Sequence, residues 1–159
     1  KFTAFIRAYR LLLVGNALRP VDDDKAVWLI FGSGSPGSVS WYTTGTYECH
    51  VSGNTHSSYT SLINITSATK AVIAGFGNQG NGTNEHTSFS TWIWGSQGDG
   101  TASSYTSGSV DASTISASGA FYTCIGGFLV GATTAFTSLR IQYSSGNISV
   151  GNVKLYGYK

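Results

Sequence analysis

After Gly37 the chain repeats one pattern, in which short stretches rich in Val, Ile, Thr, Tyr and Trp are separated by turns of Gly, Asn and Ser. Such stretches are typical of β-strands. Residues 139–143 show the period of two clearly, because Leu139, Ile141 and Tyr143 alternate with two polar residues. The pattern therefore predicts an all-β fold, with strands at residues 40–51, 59–65, 71–76, 88–94, 120–130, 138–143 and 150–158.

The first part of the chain is less regular. Residues 26–31 are wholly apolar and predict a short buried strand, whereas the Gly-rich residues 32–37 predict a loop. Residues 14–16 and 19–20 predict a cluster of turns. The residues before that cluster fit both a helical period and a strand period, so a short N-terminal helix remains an alternative to a strand.

Two long polar stretches interrupt the pattern, at residues 77–87 and 95–119, and we expect loops there, the second with a short edge strand inside it. Eight or nine short strands at this spacing predict an antiparallel two-sheet sandwich, similar to a jelly roll. The 159 residues fit a single domain. Because the chain begins at Lys1 rather than Met, we expect it to be the C-terminal part of a longer polypeptide.

Composition narrows the range of functions. Only 10% of the residues are charged, the net charge is +2, and Lys and Arg do not cluster, so nucleic acid is a poor candidate partner. No apolar run approaches the roughly 20 residues of a membrane helix, and we expect no membrane insertion. A neutral surface rich in hydroxyl and amide groups favours the binding of an uncharged polar ligand.

The sequence contains no recognisable catalytic or cofactor motif, and we predict a protein that is not an enzyme and binds no cofactor. A glycosidase needs two carboxyl groups about 5–10 Å apart. Glu48 and Glu85 are the only glutamates, and they fall in a predicted strand and a predicted loop. No metal-ligand spacing connects the three histidines, which are His50, His56 and His86.

Two further groups of residues each leave alternatives open. Residues 22–24 are three consecutive aspartates, which we interpret as a solvated turn, with a calcium-binding corner as the alternative. Cys49 and Cys124 fall in predicted strands, where they fit either two buried thiols or a disulfide.

Aromatic and amide side chains in and near the predicted loops form the candidate binding site. A sugar ring offers an apolar face for stacking and hydroxyls for amides and carboxylates. We expect either Trp41 or Tyr42 to be exposed, whereas the face that Trp92 and Trp94 share fits either the surface or the core. The amide-rich loop could also serve only solubility or subunit contacts. The candidate residues are Trp41, Tyr42, Asn78, Gln79, Asn81, Asn84, Glu85, His86, Trp92, Trp94, Gln97 and Asp99.

Both ends of the chain resemble a family of phage-encoded virion and tail-fibre domains. The closing residues 139–158 contain SSGNI, then Gly151 and Val153, then LYG, which is similar to the C-terminal signature of that family. The opening YRLLLVGN at residues 9–16, followed by an Asp-rich turn and VWLIFGS at residues 27–33, is similar to its start. The resemblance implies a β-sandwich on a virion appendage, made in the host cytoplasm, often trimeric and often concerned with host-surface glycans.

The closing motif also has local physical consequences. Residues 144–147 have the composition of a hairpin turn, because Gly and Asn accept positive φ angles. Gly151 and Gly157 would each permit a bulge or a close backbone approach.

Three hypotheses for function follow. The first is a virion appendage domain that binds a host-surface glycan or protein receptor, as a homotrimer. The second is a purely structural module that trimerises or decorates the virion. The third is a carbohydrate-binding module of a secreted enzyme, for which the composition would be the same.

Overall fold

The computed structural model describes residues 2–3, 10–35, 37–43, 47–55, 58–95, 105–132 and 135–158. These residues form two antiparallel β-sheets and contain no helix, which confirms the predicted all-β sandwich. The strands are β1 (Phe2–Thr3), β2 (Arg10–Pro20), β3 (Lys25–Ser35), β4 (Ser38–Trp41), β5 (Tyr47–Thr55), β6 (Ser58–Ala68), β7 (Ala71–Gln79), β8 (Thr87–Trp94), β9 (Thr106–Ile115), β10 (Phe121–Val130), β11 (Ser138–Tyr143) and β12 (Ile148–Tyr158).

The smaller sheet has five strands. Strand β3 pairs with β11 on one side, and β11 pairs in turn with β1. On its other side β3 pairs first with β7, up to Leu29, and then with β4, from Gly32 onward, so β7 and β4 follow one another along the same edge. The larger sheet has seven strands in the order β12-β2-β8-β9-β10-β5-β6.

The core lies between the two sheets and is centred on Phe31. The ring of Phe31 contacts the rings of Tyr47, Phe128 and Phe136, at centroid distances of 6.3, 5.7 and 4.8 Å. The hydroxyl of Tyr47 accepts a hydrogen bond of 2.8 Å from the backbone N–H of Phe31. These contacts join β3 of the smaller sheet to β5 and β10 of the larger one.

Strands β2 and β12 lie side by side and pair antiparallel at one edge of the larger sheet. The predicted turns at residues 14–16 and 19–20 are therefore wrong, since all of these residues belong to β2. The irregularity that suggested turns is a bulge between Gly15 and Leu18, where Ala17 has a φ of 50°. Gly151 lies in the shifted part of the β12–β2 register with a φ of 110°, which confirms the predicted bulge. Residues 4–9, where the N-terminal helix was an alternative, lie outside the described residues.

Strand β9 is the largest departure from the prediction. Instead of a short edge strand within a loop, it is a ten-residue strand between β8 and β10 in the middle of the larger sheet. Its inward residues include Gly108 and Ala112, so the period of two is carried by small side chains that a hydrophobicity pattern misses. Gly108 is required by packing, because a Cβ there would lie 2.4 Å from the Phe128 ring and 2.6 Å from the Trp92 carbonyl oxygen.

Two predicted loops are partly strand, and the predicted hairpin is a connection between sheets. Strand β3 continues to Ser35, and β7 continues to Gln79. Residues 144–147 join β11 of the smaller sheet to β12 of the larger one, so the strands they connect are not paired. Gly146 still has the positive φ, 70°, that this composition predicted.

Cys49 and Cys124 are buried thiols that do not form a disulfide, so the thiol alternative is correct. Cys49 lies opposite Phe128, four residues along β10 from Cys124. Four residues of strand span about 13 Å, which exceeds the reach of a disulfide. Burial raises the pKa of the Cys49 thiol and so favours its neutral form.

Candidate functional site

The outer face of the seven-stranded sheet carries a group of large side chains on three neighbouring strands. Inward residues of β8, such as Phe89 and Ile93, are buried, so alternation directs Trp92 and Trp94 outward. The strand register aligns Tyr156, Leu12 and Trp92 in one row and Tyr158, Arg10 and Trp94 in the next. We call the apolar members of these two rows the aromatic patch: Leu12, Trp92, Trp94, Tyr156 and Tyr158.

The rings of the aromatic patch are reachable from solvent. Tyr156 and Tyr158 are each 44% exposed, and the two tryptophans are half-buried. The rings of Trp92 and Tyr158 meet across β2, with centroids 5.4 Å apart and planes inclined at 47°. Of the two alternatives for Trp92 and Trp94, the surface is therefore correct and the core is wrong.

A groove of about 490 Å³ continues from the aromatic patch along the same face. Its lining is rich in hydroxyl and amide groups, with Tyr156 at the end shared with the patch. Lys154 and Asp111 line it from β12 and β9. We call it the polar groove, and its remaining polar lining residues are Asn16, Ser88, Ser90, Ser113, Thr123 and Asn152.

Trp41 and Tyr42 lie elsewhere, on the five-stranded sheet. Both are half-buried and pack against the hydrophobic core, so the expectation that one of them is exposed is wrong. The guanidinium of Arg140 lies 4.0 Å from the centre of the Trp41 ring. The Arg140 side chain therefore covers one face of the Trp41 ring.

Gln79 and Asn81 serve the internal structure of the fold. Gln79 is fully buried, and its amide donates a hydrogen bond of 2.7 Å to the Leu18 carbonyl and accepts one of 2.5 Å from the Thr87 hydroxyl. The amide of Asn81 donates to the Val21 carbonyl at 2.8 Å, while its backbone N–H donates to Asp23. A ligand therefore cannot reach Gln79, and Asn81 fastens its loop to the Asp-rich turn.

The rest of the loop at residues 80–86 lies away from the aromatic patch. The carboxylate of Glu85 accepts a hydrogen bond of 2.6 Å from the backbone N–H of Gly82 and so closes a local turn. Asn84 and His86 are exposed, at the Thr87 end of β8, whereas Trp94 ends that strand. The side chain of Asn78, together with Gln97, Asp99 and His56, lies outside the described residues.

The glutamate pair is too far apart for glycoside hydrolysis. Glu48 lies in the same row as Trp94, three strands away, whereas Glu85 precedes the opposite end of β8. Strand spacing and rise place them on the order of 25 Å apart, against the roughly 5–10 Å that a glycosidase needs. Within the described residues no three His, Cys, Asp or Glu side chains are grouped as a metal ion would require.

Most of the polar groove and the tyrosines of the aromatic patch were not among the residues predicted from the sequence. The alternation of Lys154, Tyr156 and Tyr158 in the last strand was a usable signal, because it places all three on one face. Asp111 and Ser113 had no such signal, since residues 95–119 were interpreted as a loop with a short edge strand inside it.

Comparison with known proteins adds no further assignment. No family model, no curated protein and no solved structure matches this chain. In the described part of the chain there is no helix of the length and apolarity needed to cross a membrane.

Proposed function

We propose that this chain is a non-catalytic binding domain of a virion appendage, and that it recognises a host-surface glycan through the outer face of its seven-stranded sheet. The observation that carries the proposal is the aromatic patch beside the polar groove. Aromatic rings stack on the apolar faces of sugars, and hydroxyl and amide groups exchange hydrogen bonds with sugar hydroxyls. One continuous face supplies both.

The assignment to a virion rests on the resemblance of the two chain ends to phage tail-fibre domains. Strands β2 and β12 carry much of that resemblance, and they are also the strands that supply Leu12, Tyr156 and Tyr158 to the patch. A homotrimer would present three such faces and raise the avidity for a repetitive polysaccharide. The same face would serve a carbohydrate-binding module of a secreted enzyme, and a catalytic domain in the same polypeptide would favour that setting.

Trp92→Ala tests the site, because it removes the ring that links β8 to Tyr158. We expect binding to an array of bacterial surface polysaccharides to fall at least tenfold, which corresponds to about 1.4 kcal/mol. The matched control is Phe121→Ala, which removes another exposed aromatic ring from β10, near the opposite end of the face. Unchanged binding of a folded Trp92→Ala variant would refute the site.

A second candidate function is a structural module that assembles with copies of itself. It is favoured by Ile125 and Phe121, which are 64% and 51% exposed on β10. Sedimentation of the same two variants separates the candidates. If the structural module is correct, Phe121→Ala lowers the assembled mass and Trp92→Ala does not change glycan binding. If the glycan-binding domain is correct, Trp92→Ala lowers glycan binding and leaves the assembled mass equal to that of the parent protein.

A further inference from the structure

Charge is distributed unevenly over the outer face of the seven-stranded sheet. Strands β12, β2 and β8, which carry the aromatic patch, contain Arg10, Arg19 and Lys154 but no Asp or Glu. The described acidic residues on the strands of this face lie beyond the patch, with Asp111 on β9 and Glu48 on β5. The half of the face that has the rings is therefore the cationic half.

Arg10 and Lys154 flank the aromatic patch. Arg10 lies directly opposite both Trp94 and Tyr158. Lys154 is two residues from Tyr156 along β12 and lines the polar groove. Because Lys154 is four residues from Tyr158, the two cations are about 13 Å apart along the strand direction, with Tyr156 between them and Tyr158 beside Arg10.

Both cations are unpaired within the part of the chain that the structure describes. Arg10 and Lys154 are exposed, and neither forms an ion pair or a side-chain hydrogen bond with another described residue. Arg19 differs, since its guanidinium donates a hydrogen bond of 3.3 Å to the Gly82 carbonyl at the far end of β2. Lys70, which lies just before β7, and Arg140 on β11 differ too, because they lie over the rings of Trp28 and Trp41.

We infer that the ligand of this face is an acidic polysaccharide, whose sugar rings stack on the aromatic patch while its carboxylates pair with Arg10 and Lys154. This inference rests on the proposed function and names the class of glycan. Carboxylates accept charge-assisted hydrogen bonds from guanidinium and ammonium groups. Asp111, on the far wall of the polar groove, repels an anion and confines it to the β12 side.

The test compares two double variants with the same loss of charge. Arg10→Gln with Lys154→Gln alters the aromatic-patch side, and Arg140→Gln with Lys70→Gln alters the five-stranded sheet. The probes are the strongest uronate-bearing binder from a polysaccharide array, the same polymer after its carboxyl groups are reduced to hydroxymethyl groups, and inorganic polyphosphate. Exposed charge pairs contribute modestly, so we expect the first double variant to lose about fivefold or more in affinity for the acidic polymer and the second to lose none.

The outcomes distinguish this inference from the proposed function. Support requires that carboxyl reduction and the Arg10/Lys154 double variant each weaken binding, and that added salt weakens binding to the parent protein. A second outcome would overturn the inference and leave the proposed function intact. In it the polysaccharides that bind are neutral, and their affinity falls in Trp92→Ala but does not change in the Arg10/Lys154 double variant. Polyphosphate binding as tight as that of the polysaccharide and independent of Trp92 would mean ion exchange alone and overturn the inference. If no polysaccharide binds, both the inference and the proposed function are refuted.

Discussion

Each sheet carries two tryptophans on its outer face, and the two pairs have opposite surroundings. On the five-stranded sheet, Lys70 lies 3.5 Å from the centre of the Trp28 ring and Arg140 lies 4.0 Å from that of Trp41. On the seven-stranded sheet no cation lies over Trp92 or Trp94 among the described residues, and Tyr158 packs beside Trp92 at an inclined angle.

The neighbouring residues explain the difference. Ile30 and Val72 belong to the outer face of the five-stranded sheet, yet they are only 5% and 6% exposed. Around Trp28 and Trp41, therefore, the outer face forms a second, smaller apolar layer, in which the rings bury aliphatic neighbours. Around Trp92 the neighbours are Leu12, Tyr158 and serines, and the rings remain accessible. An outward tryptophan thus stabilises the fold in one sheet and is available to a ligand in the other.

The largest expected effect that tests this difference is on stability. Trp41→Ala should lower the free energy of unfolding by about 2–3 kcal/mol, because a ring that packs against the core is lost. Trp92→Ala should cost less than about 1 kcal/mol, because its ring lies on the open face. Urea denaturation of both variants measures the difference. Equal losses would show that the two pairs of tryptophans do not differ in role.

Accessibility of the rings can be measured without a ligand. A variant with Trp28→Phe and Trp41→Phe retains only the tryptophans of the seven-stranded sheet, and one with Trp92→Phe and Trp94→Phe retains only those of the five-stranded sheet. Acrylamide is neutral, so its collisional quenching reports access independently of charge. We expect a larger quenching constant for the first variant. A larger quenching constant for the second variant would contradict the conclusion that the tryptophans of the seven-stranded sheet are the more accessible pair.

Much of the fold could be predicted from the sequence, whereas the site could be predicted only in part. Strand β8 shows why. Its apolar residues fall on both faces, with Phe89 and Ile93 on one and Trp92 and Trp94 on the other, so the period alone does not decide which face is inside. The neighbouring strands complete the inner face, where the Phe89 ring packs over Gly15 of β2 and the Phe128 ring packs over Gly108 of β9.

Residue spacing could not show which candidate side chains have a partner that is distant in the chain. Gln79 bonds to the carbonyl of Leu18, which is 61 residues away, and Arg140 covers Trp41 from another strand. Contacts of this range are not visible in residue spacing. The tyrosines of β12 join the patch for the same reason, since their position beside Trp92 requires β2 to lie between β12 and β8.

The smallest effect expected is that of removing the cations over Trp28 and Trp41. Lys70→Gln and Arg140→Gln should each lower the free energy of unfolding by about 0.5–1 kcal/mol, because each loses a cation–π contact. Arg10→Gln and Lys154→Gln remove the same charges from exposed positions without such a contact, and each should change stability by less than about 0.5 kcal/mol. Thermal and urea denaturation of the four single variants at one ionic strength measures this. If Lys154→Gln destabilised the fold as much as Lys70→Gln, Lys154 would have a structural partner, and its availability to a carboxylate ligand would be lost.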